Sequence, residues 1–474
     1  MNCRSWRTTK IFVVVTLTVL LSQYIVFVIL PFSIHEAKAV KDKTPPSSSL
    51  PGLSSKKGNT ISPSSPPTRL SNGSPSGCIN YDSSTRTITV SCSSARLTDI
   101  DNKLHDSSIL AKQSSANGVW FLNANLVISK GAAFHINSTD TKWLKISSKV
   151  TQSAGATKLG TAYWIDVHGS LKIDSVKITS WDPTTNYYAI TNGSRTGSGV
   201  FIFGAPRPSI VVENNATGTT DITNSEIAYL GYEQGKHKGG SGLSYYYGGD
   251  GSVIRNDIIR EVYFGLYTFG VGHMIVENNI IRNSGHYGLD PHTGTHDMII
   301  RNNTVYDNKG GSGIICSLNC YNILIENNKV HDNAGDGIDF SRNMYNSIAR
   351  NNIVYNEPIG ISVSQSHNNQ VSNNTISKSG NGIQAGSGSS NNKIFGNTIA
   401  NSISQAILIN NGSSGNTFSD NKVVSSTPAG LKIVQDSTAK NNIFSNNQII
   451  HSTSEATTAS PLTGAAHINN KIHK

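Results

Sequence analysis

MIIRNNTVYDN, residues 298–308, and SGIICSL, residues 312–318, form one unit of a pattern that runs through most of the chain. Its first marker is an Asn-x-[Ile/Val/Thr/Phe] step, mostly preceded by a second asparagine. It places asparagines at 256, 279, 303, 328, 352, 374, 397, 421 and 447, at intervals of 22 to 26 residues. The second marker is a glycine followed by an aliphatic residue, at Gly242, Gly265, Gly288, Gly313, Gly337, Gly360 and Gly382, at intervals of 22 to 25. Two independent markers that keep one period over successive units are the signature of a solenoid.

Each unit reads as short β-rich pieces separated by Gly, Asn and Asp, with no helical period. Leucine-rich repeats would need a regular Leu spacing, and propeller blades about 40 residues or more. The pattern predicts an all-β chain folded as a right-handed parallel β-helix, with coils of about 24 residues stacked at about 4.8 Å. The repeated asparagines are expected to stack in a turn as a hydrogen-bonded ladder. The glycines are expected to mark a bend where backbone meets backbone. Earlier coils are traceable through WLKISS, YWIDVHGSLKIDSVKITSWD and ITNSEIAYLGY, and an inserted loop, EQGKHKGGS, occupies 233–241.

The β-helix domain is expected to span residues 78–452, with a cap or tail at 453–474. Before it, residues 40–77 are rich in Ser, Pro and Lys without aromatics, which predicts a disordered linker. Residues 1–39 contain an apolar run at 11–32 behind Arg4, Arg7 and Lys10, and an Ala-Lys-Ala site at 37–39. This is either a cleaved signal peptide or an N-terminal membrane anchor, so the rest of the chain is expected outside the cytoplasm, secreted or anchored. In that compartment a Cys78–Cys92 bridge would staple the start of the domain. The net charge is +10, but residues 1–77 carry +7 of it. The remaining body is nearly neutral, which argues against nucleic acid as a partner.

The glycine register aligns the coils like rows of a grid. Alternation along a strand sends positions +1 and +3 after each glycine inward, and +2 and +4 outward. The +1 column is Leu or Ile throughout. The outward columns read Ser244, Tyr267, Asp290, Ile315, Asp339, Ser362, Gln384 and Tyr246, Phe269, His292, Ser317, Ser341, Ser364, Gly386, with Arg342 one place further on. An exposed stripe of aromatic, carboxylate, imidazole, hydroxyl and guanidinium groups on a rigid sheet suits an extended sugar polymer. Tyr287, Asp290 and His292 stand out as three titratable groups within six residues.

Tyr287-Gly288-Leu289-Asp290-Pro291-His292 resembles the YG-x-DPH motif of mannuronan C5-epimerases, which convert β-D-mannuronate to α-L-guluronate in alginate. THDMIIRNN, GIICSLNCYN and SRN resemble the brown-algal type. The likeness runs over about residues 220–370. It implies that Tyr287, Asp290 and His292 form the catalytic centre. His292 would take the C5 proton and Tyr287 return one, while Asp290 orients the imidazole or shares a proton with the substrate carboxylate. Bacterial relatives carry a charged residue one coil after the His, where this chain has Ser317 and Leu318. Arg342, Lys236 and Lys238 are the candidates to supply that charge, with Asp339 as a second carboxylate and Tyr246, Tyr267, Phe269 and Ser317 lining the groove.

No metal site is expected. No cofactor is expected either, although a soluble divalent cation such as calcium would need no motif. The expected partner is an anionic uronate polysaccharide, met by a monomer that touches the membrane only if its leader is retained. Two other activities fit the same pattern. A uronan or alginate lyase also begins by abstracting H5, and a non-catalytic β-helix would bind polysaccharide or deliver copper in the periplasm.

Overall fold

The computed structural model describes residues 77–113, 117–150, 160–190, 206–232, 238–425 and 427–452, with short strands at 194–195, 201–202, 462–463, 466–468 and 471–473. The apolar run at 11–32, the linker and Lys236 lie outside the described residues. Among those described, no helix is long and apolar enough to cross a membrane.

Three sheets of 15, 14 and 16 strands run the length of the domain, each built from one strand per coil. Pairing is parallel from coil to coil, as in Ile300 with Ile325 and Val305 with Val330. Antiparallel pairs occur toward the N-terminal end, where Ile79–Asp82 returns as Thr87–Val90. There Cys78 is bridged to Cys92, and the helix Leu97–Leu104 buries Leu97 and Ile100. At the other end, Leu462–Thr463, Ala466–Ile468 and Lys471–His473 each add one further strand to a sheet.

A single coil cannot bury its own apolar residues, so the core consists of stacks. Leu243, Leu266, Leu289, Ile314, Ile338, Ile361 and Ile383 form one such column at 0% exposure. Val276, Ile300 and Ile325, and Ile281, Val305 and Val330, supply the other two sheets. Between the second and third sheets the chain turns through the Asn-Asn pairs. The first asparagine takes a left-handed conformation, as at Asn278, Asn302 and Asn327 (φ 56 to 57°), which Asn tolerates better than most residues. The second points inward and is buried.

These inward asparagines form the expected ladder. Asn303 Nδ2 donates to Val276 O at 2.9 Å and to Asn328 Oδ1 at 3.0 Å, while its Oδ1 accepts the backbone N–H and the side-chain amide of Asn279. Both donors and both acceptor positions of each interior amide are thereby used, so burial leaves no polar atom stranded. Asn256 is a correction to the register. It takes the left-handed turn position (φ 60°), and Asp257 occupies the ladder site, its backbone N–H donating to Asn279 Oδ1 at 2.9 Å. Two further stacks, Asn369–Asn392–Asn416–Asn442 and Asn308–Asn333–Glu357, were not anticipated from the sequence.

The glycine bend has a steric cause. A Cβ on Gly265 would sit 2.1 Å from Gly288 O, and one on Gly288 2.4 Å from Gly313 O. No side chain fits between these coils.

Asn279→Ala should leave the Asp257 N–H and the Ile254 carbonyl unpaired in the interior, at a cost of about 3 kcal/mol in denaturant unfolding. Asp257→Asn should do the reverse. Burial pushes the Asp257 carboxyl up to about 7, above its unfolded value, so its contribution to stability falls as pH rises from about 4 to about 7. An amide there extends the ladder by one rung. Its thermal midpoint should exceed wild type by more at pH 8 than at pH 4.

Candidate active site

The strand Leu289–His292 lies between Phe264–Phe269 and Ile314–Ser317 in the 15-stranded sheet. Its register pairs Tyr267 with Asp290 and Phe269 with His292 on one side, and His292 with Ser317 on the other. Tyr246 precedes Phe269 in the same column, and Asp339 follows Ile315 in the Asp290 column. The outward residues singled out in the sequence therefore share one face of one sheet.

That face is less open than the alternation suggests. Asp290 is 2% exposed, and Ser244, Ile315, Ser317 and Ser362 are buried as well. Alternation fixes the direction of a side chain. With coils about 4.8 Å apart, larger neighbours can cover the smaller ones. Burial governs the charges here. It drives the Asp290 carboxyl well above the usual carboxylate range, against the opposing pull of Arg342, and Oδ1 has no hydrogen-bond partner. A carboxyl biased toward its protonated form, with an unpartnered buried oxygen, sits at the centre of the strip.

Burial, and then the Arg342 charge, hold the His292 imidazole down to about 4, so the ring is neutral at ordinary pH. Its Nδ1 lies 2.6 Å from Thr293 Oγ1, and the rings of Tyr267 and Phe269 flank it at 5.5 and 6.1 Å. Among the described residues Asp290 makes no hydrogen bond to it, and the side-chain partner of the ring is the Thr293 hydroxyl. Thr293 is itself strained, a β-branched residue at φ 33°, held there by its N–H on Ser317 O at 2.9 Å.

Tyr287 approaches from the residue before the glycine bend. Its ring packs over Gly311, where a Cβ would come within 2.2 Å of a ring carbon, and against His286 at 4.1 Å. Burial and then the nearby Asp290 raise its hydroxyl pKa, while Arg342 pulls the other way. The phenol stays protonated.

Arg342 stands on the turn after Ile338–Ser341, in a left-handed conformation (φ 53°), and donates from Nη2 to Ser317 Oγ at 3.0 Å. Its guanidinium thus reaches back one coil to the position where the resembled family carries its charge. It acts electrostatically on Tyr267, Tyr287, Asp290 and His292. Burial, then Asp336, push Asp339 up to about 7, and burial raises Asp336 to about 6. Asp336 was not singled out in the sequence, although the glycine register puts it at the Tyr287 position two coils on. Tyr246 lies 5.6 Å from Tyr267 and beside Ser241, the end of the inserted loop. Lys238 begins the 3₁₀ turn Lys238–Ser241 in that loop.

Away from this strip, His273, His296 and Asp297 bring ligand atoms within 4.8 Å of one another. His296 Nδ1 is already bonded to Asp297 Oδ2 at 2.8 Å, and imidazoles are poor calcium ligands.

The family described as the right handed beta helix region matches residues 189–320 and 313–449, more than half of the chain. The chain belongs to the right-handed β-helix family. Among curated relatives, a mannuronan C5-epimerase of Pseudomonas syringae pv. tomato is 27% identical over 272 residues, 55% of this chain and 46% of the relative. The mannuronan C5-epimerase AlgG of Azotobacter vinelandii is 26% identical over 212 residues, 42% and 36% respectively. The matched region spans less than half the length of these relatives. Among solved β-helix structures, the periplasmic alginate epimerase AlgG superposes with a TM-score of 0.61 at 20% identity, covering 82% of this chain and 84% of the other. A point mutant of the same epimerase reaches 0.64 at 21% identity, covering 76% and 84%.

The electrostatic arrangement has a direct readout. Followed by NMR in the unliganded protein, the His292 ring should titrate with a midpoint near 4. Arg342→Ala removes a cation that disfavours the imidazolium, so the midpoint should move up toward the ordinary histidine value. A midpoint already near 6.5 in the wild type would contradict the assignment.

Proposed function

We propose that this chain is a polysaccharide C5-epimerase that converts β-D-mannuronate to α-L-guluronate within an alginate-like polymer. The observation that carries the reading is the convergence of a neutral imidazole, a buried carboxyl shifted toward its protonated form, a protonated phenol and one guanidinium over three successive coils of one sheet. The named relatives support it. An export leader in the sequence and the Cys78–Cys92 bridge support action outside the cytoplasm.

The chemistry follows from the substrate. H5 of a uronate is α to a carboxylate, so its removal puts a second negative charge on that group. His292, neutral and half-buried, accepts the proton as the C5–H bond breaks, and the electron pair moves into the carboxylate as an enediolate. Asp290, kept protonated by burial, donates a hydrogen bond to that carboxylate where an ionised aspartate would repel it. Arg342 neutralises the charge. Its partnership with the substrate also lifts the penalty it imposes on the imidazolium, so polymer binding raises the basicity of His292 at the moment it is needed. Tyr287 delivers a proton to C5 from the opposite face and inverts the centre. Proton return to the phenolate and loss from the imidazolium, both through solvent, restore the starting state. Tyr246, Tyr267 and Phe269 pack against neighbouring sugars, and Asp339 and Asp336 meet the polymer two coils further along.

Polymannuronate incubated with the protein should develop guluronate anomeric signals by proton NMR with no loss of chain length. A rise in ultraviolet absorbance from a C4–C5 double bond would reassign the protein as a lyase. No change on several uronans would remove both activities. Arg342→Ala should lower the rate about 100-fold, the equivalent of about 3 kcal/mol of transition-state stabilisation, and Arg342→Lys should keep part of it. An unimpaired Arg342→Ala would transfer the role to Lys236 or Lys238.

A further inference from the structure

A second constellation lies on the 16-stranded sheet, not on the sheet that carries His292. Lys112, Gln113, Phe121, Trp181, Pro183 and Asn186 line a cavity of about 420 Å³, within the size range of small-ligand sites. The stacked strands pair Phe121 with Lys145 and Ser147 with Trp181, which sets Lys145 beside the cavity wall. Lys145 is only 6% exposed. Its ammonium lies 3.7 Å from the Trp181 ring centroid and 4.2 Å from that of Trp143, and it donates to Gln113 Oε1 at 3.4 Å.

This buried cation has no carboxylate in ion-pair reach among the described residues. Residues 114–116, 151–159, 191–193, 196–200 and 203–205 contain no Asp or Glu in the sequence. Its neighbours differ, since Lys177 and Arg260 share Glu226 at 3.3 and 2.6 Å. A buried ammonium balanced only by aromatic faces and one amide oxygen is costly, and burial lowers its pKa. Trp181 is braced at right angles by Trp143 and Tyr188, at 5.3 and 5.7 Å, so its ring is set before any ligand arrives.

We propose that this cavity is a non-catalytic binding site for one uronate residue of an acidic oligosaccharide. The apolar face of the sugar ring packs on Trp181, its carboxylate pairs with Lys145 and Lys112, and its hydroxyls meet Gln113 and Asn186. A bound carboxylate supplies the counter-charge that Lys145 lacks among the described residues. The site needs no chemistry at His292. It would hold an acidic polymer on a second face of the rod.

Trp143 and Trp181 lie at the cavity, and a Trp164→Phe background removes the one described tryptophan on the sheet that carries His292, so fluorescence in that background reports this site. Titration of the full chain with sodium trimannuronate should give a saturable change, and neutral cellotriose should give none. Lys145→Gln should weaken binding at least tenfold, and Lys112→Gln, at the exposed rim, about threefold. If Lys145→Gln loses its circular dichroism, Lys112→Gln decides alone. Absence of a saturable signal, equal binding of cellotriose, or wild-type affinity in the folded variants would overturn the proposal. Guluronate formation is read separately by NMR, so this site and the epimerase reading fail independently.

Discussion

The stack of buried asparagine amides is the interaction on which the rest depends. A primary amide offers two donors and two acceptor positions, and the spacing of parallel coils lets each Asn satisfy those of its neighbours above and below. That locks the coil length at one turn while the preceding asparagine absorbs the left-handed conformation. Insertions are then forced into the other turns, as with the loop at 233–241. Once the coils cannot slip, residues separated by about 24 positions in sequence stay about 4.8 Å apart in space. An active site can then be assembled from side chains on successive rungs.

The chemistry uses this rigidity to keep charges apart from water. Asp290 lies on an outward position, yet its neighbours cover it, and burial drives its carboxyl well above the range of a solvated aspartate. His292 is neutral for the same reason, with Arg342 adding to the effect. Asp336 and Asp339, raised to about 6 and about 7, titrate near neutral pH beside the Arg342 guanidinium.

Much of this was legible in the sequence. The glycine series and the Asn doublets fixed the coil length, and two-residue alternation assigned Tyr267, Asp290, Asp339 and Phe269, His292, Ser317 to one face. Four features were not legible, each for a physical reason. Asn256 and Asp257 both suit the turn and the ladder by composition, and only the hydrogen bond to Asn279 tells which one points inward. Alternation gives direction but not cover, so the burial of Asp290 and Ser317 depends on neighbouring coils. The reach of Arg342 back to Ser317 depends on a long side chain leaving a left-handed turn, so the register named Arg342 as a candidate without showing the contact. Thr293 was likewise hidden, since nothing in its type marks it as the partner of the His292 ring.

In the proposed epimerisation Tyr287 and His292 act on opposite faces of one bound sugar. Conversion of polymannuronate in D₂O, with deuterium at C5 measured in the guluronate formed, tests it most directly. A donor distinct from the acceptor exchanges with solvent, so each new guluronate should carry one deuterium from the first turnover onward. Guluronate formed with its original hydrogen at C5 would mean that a single group removes and returns the proton, and would contradict the account.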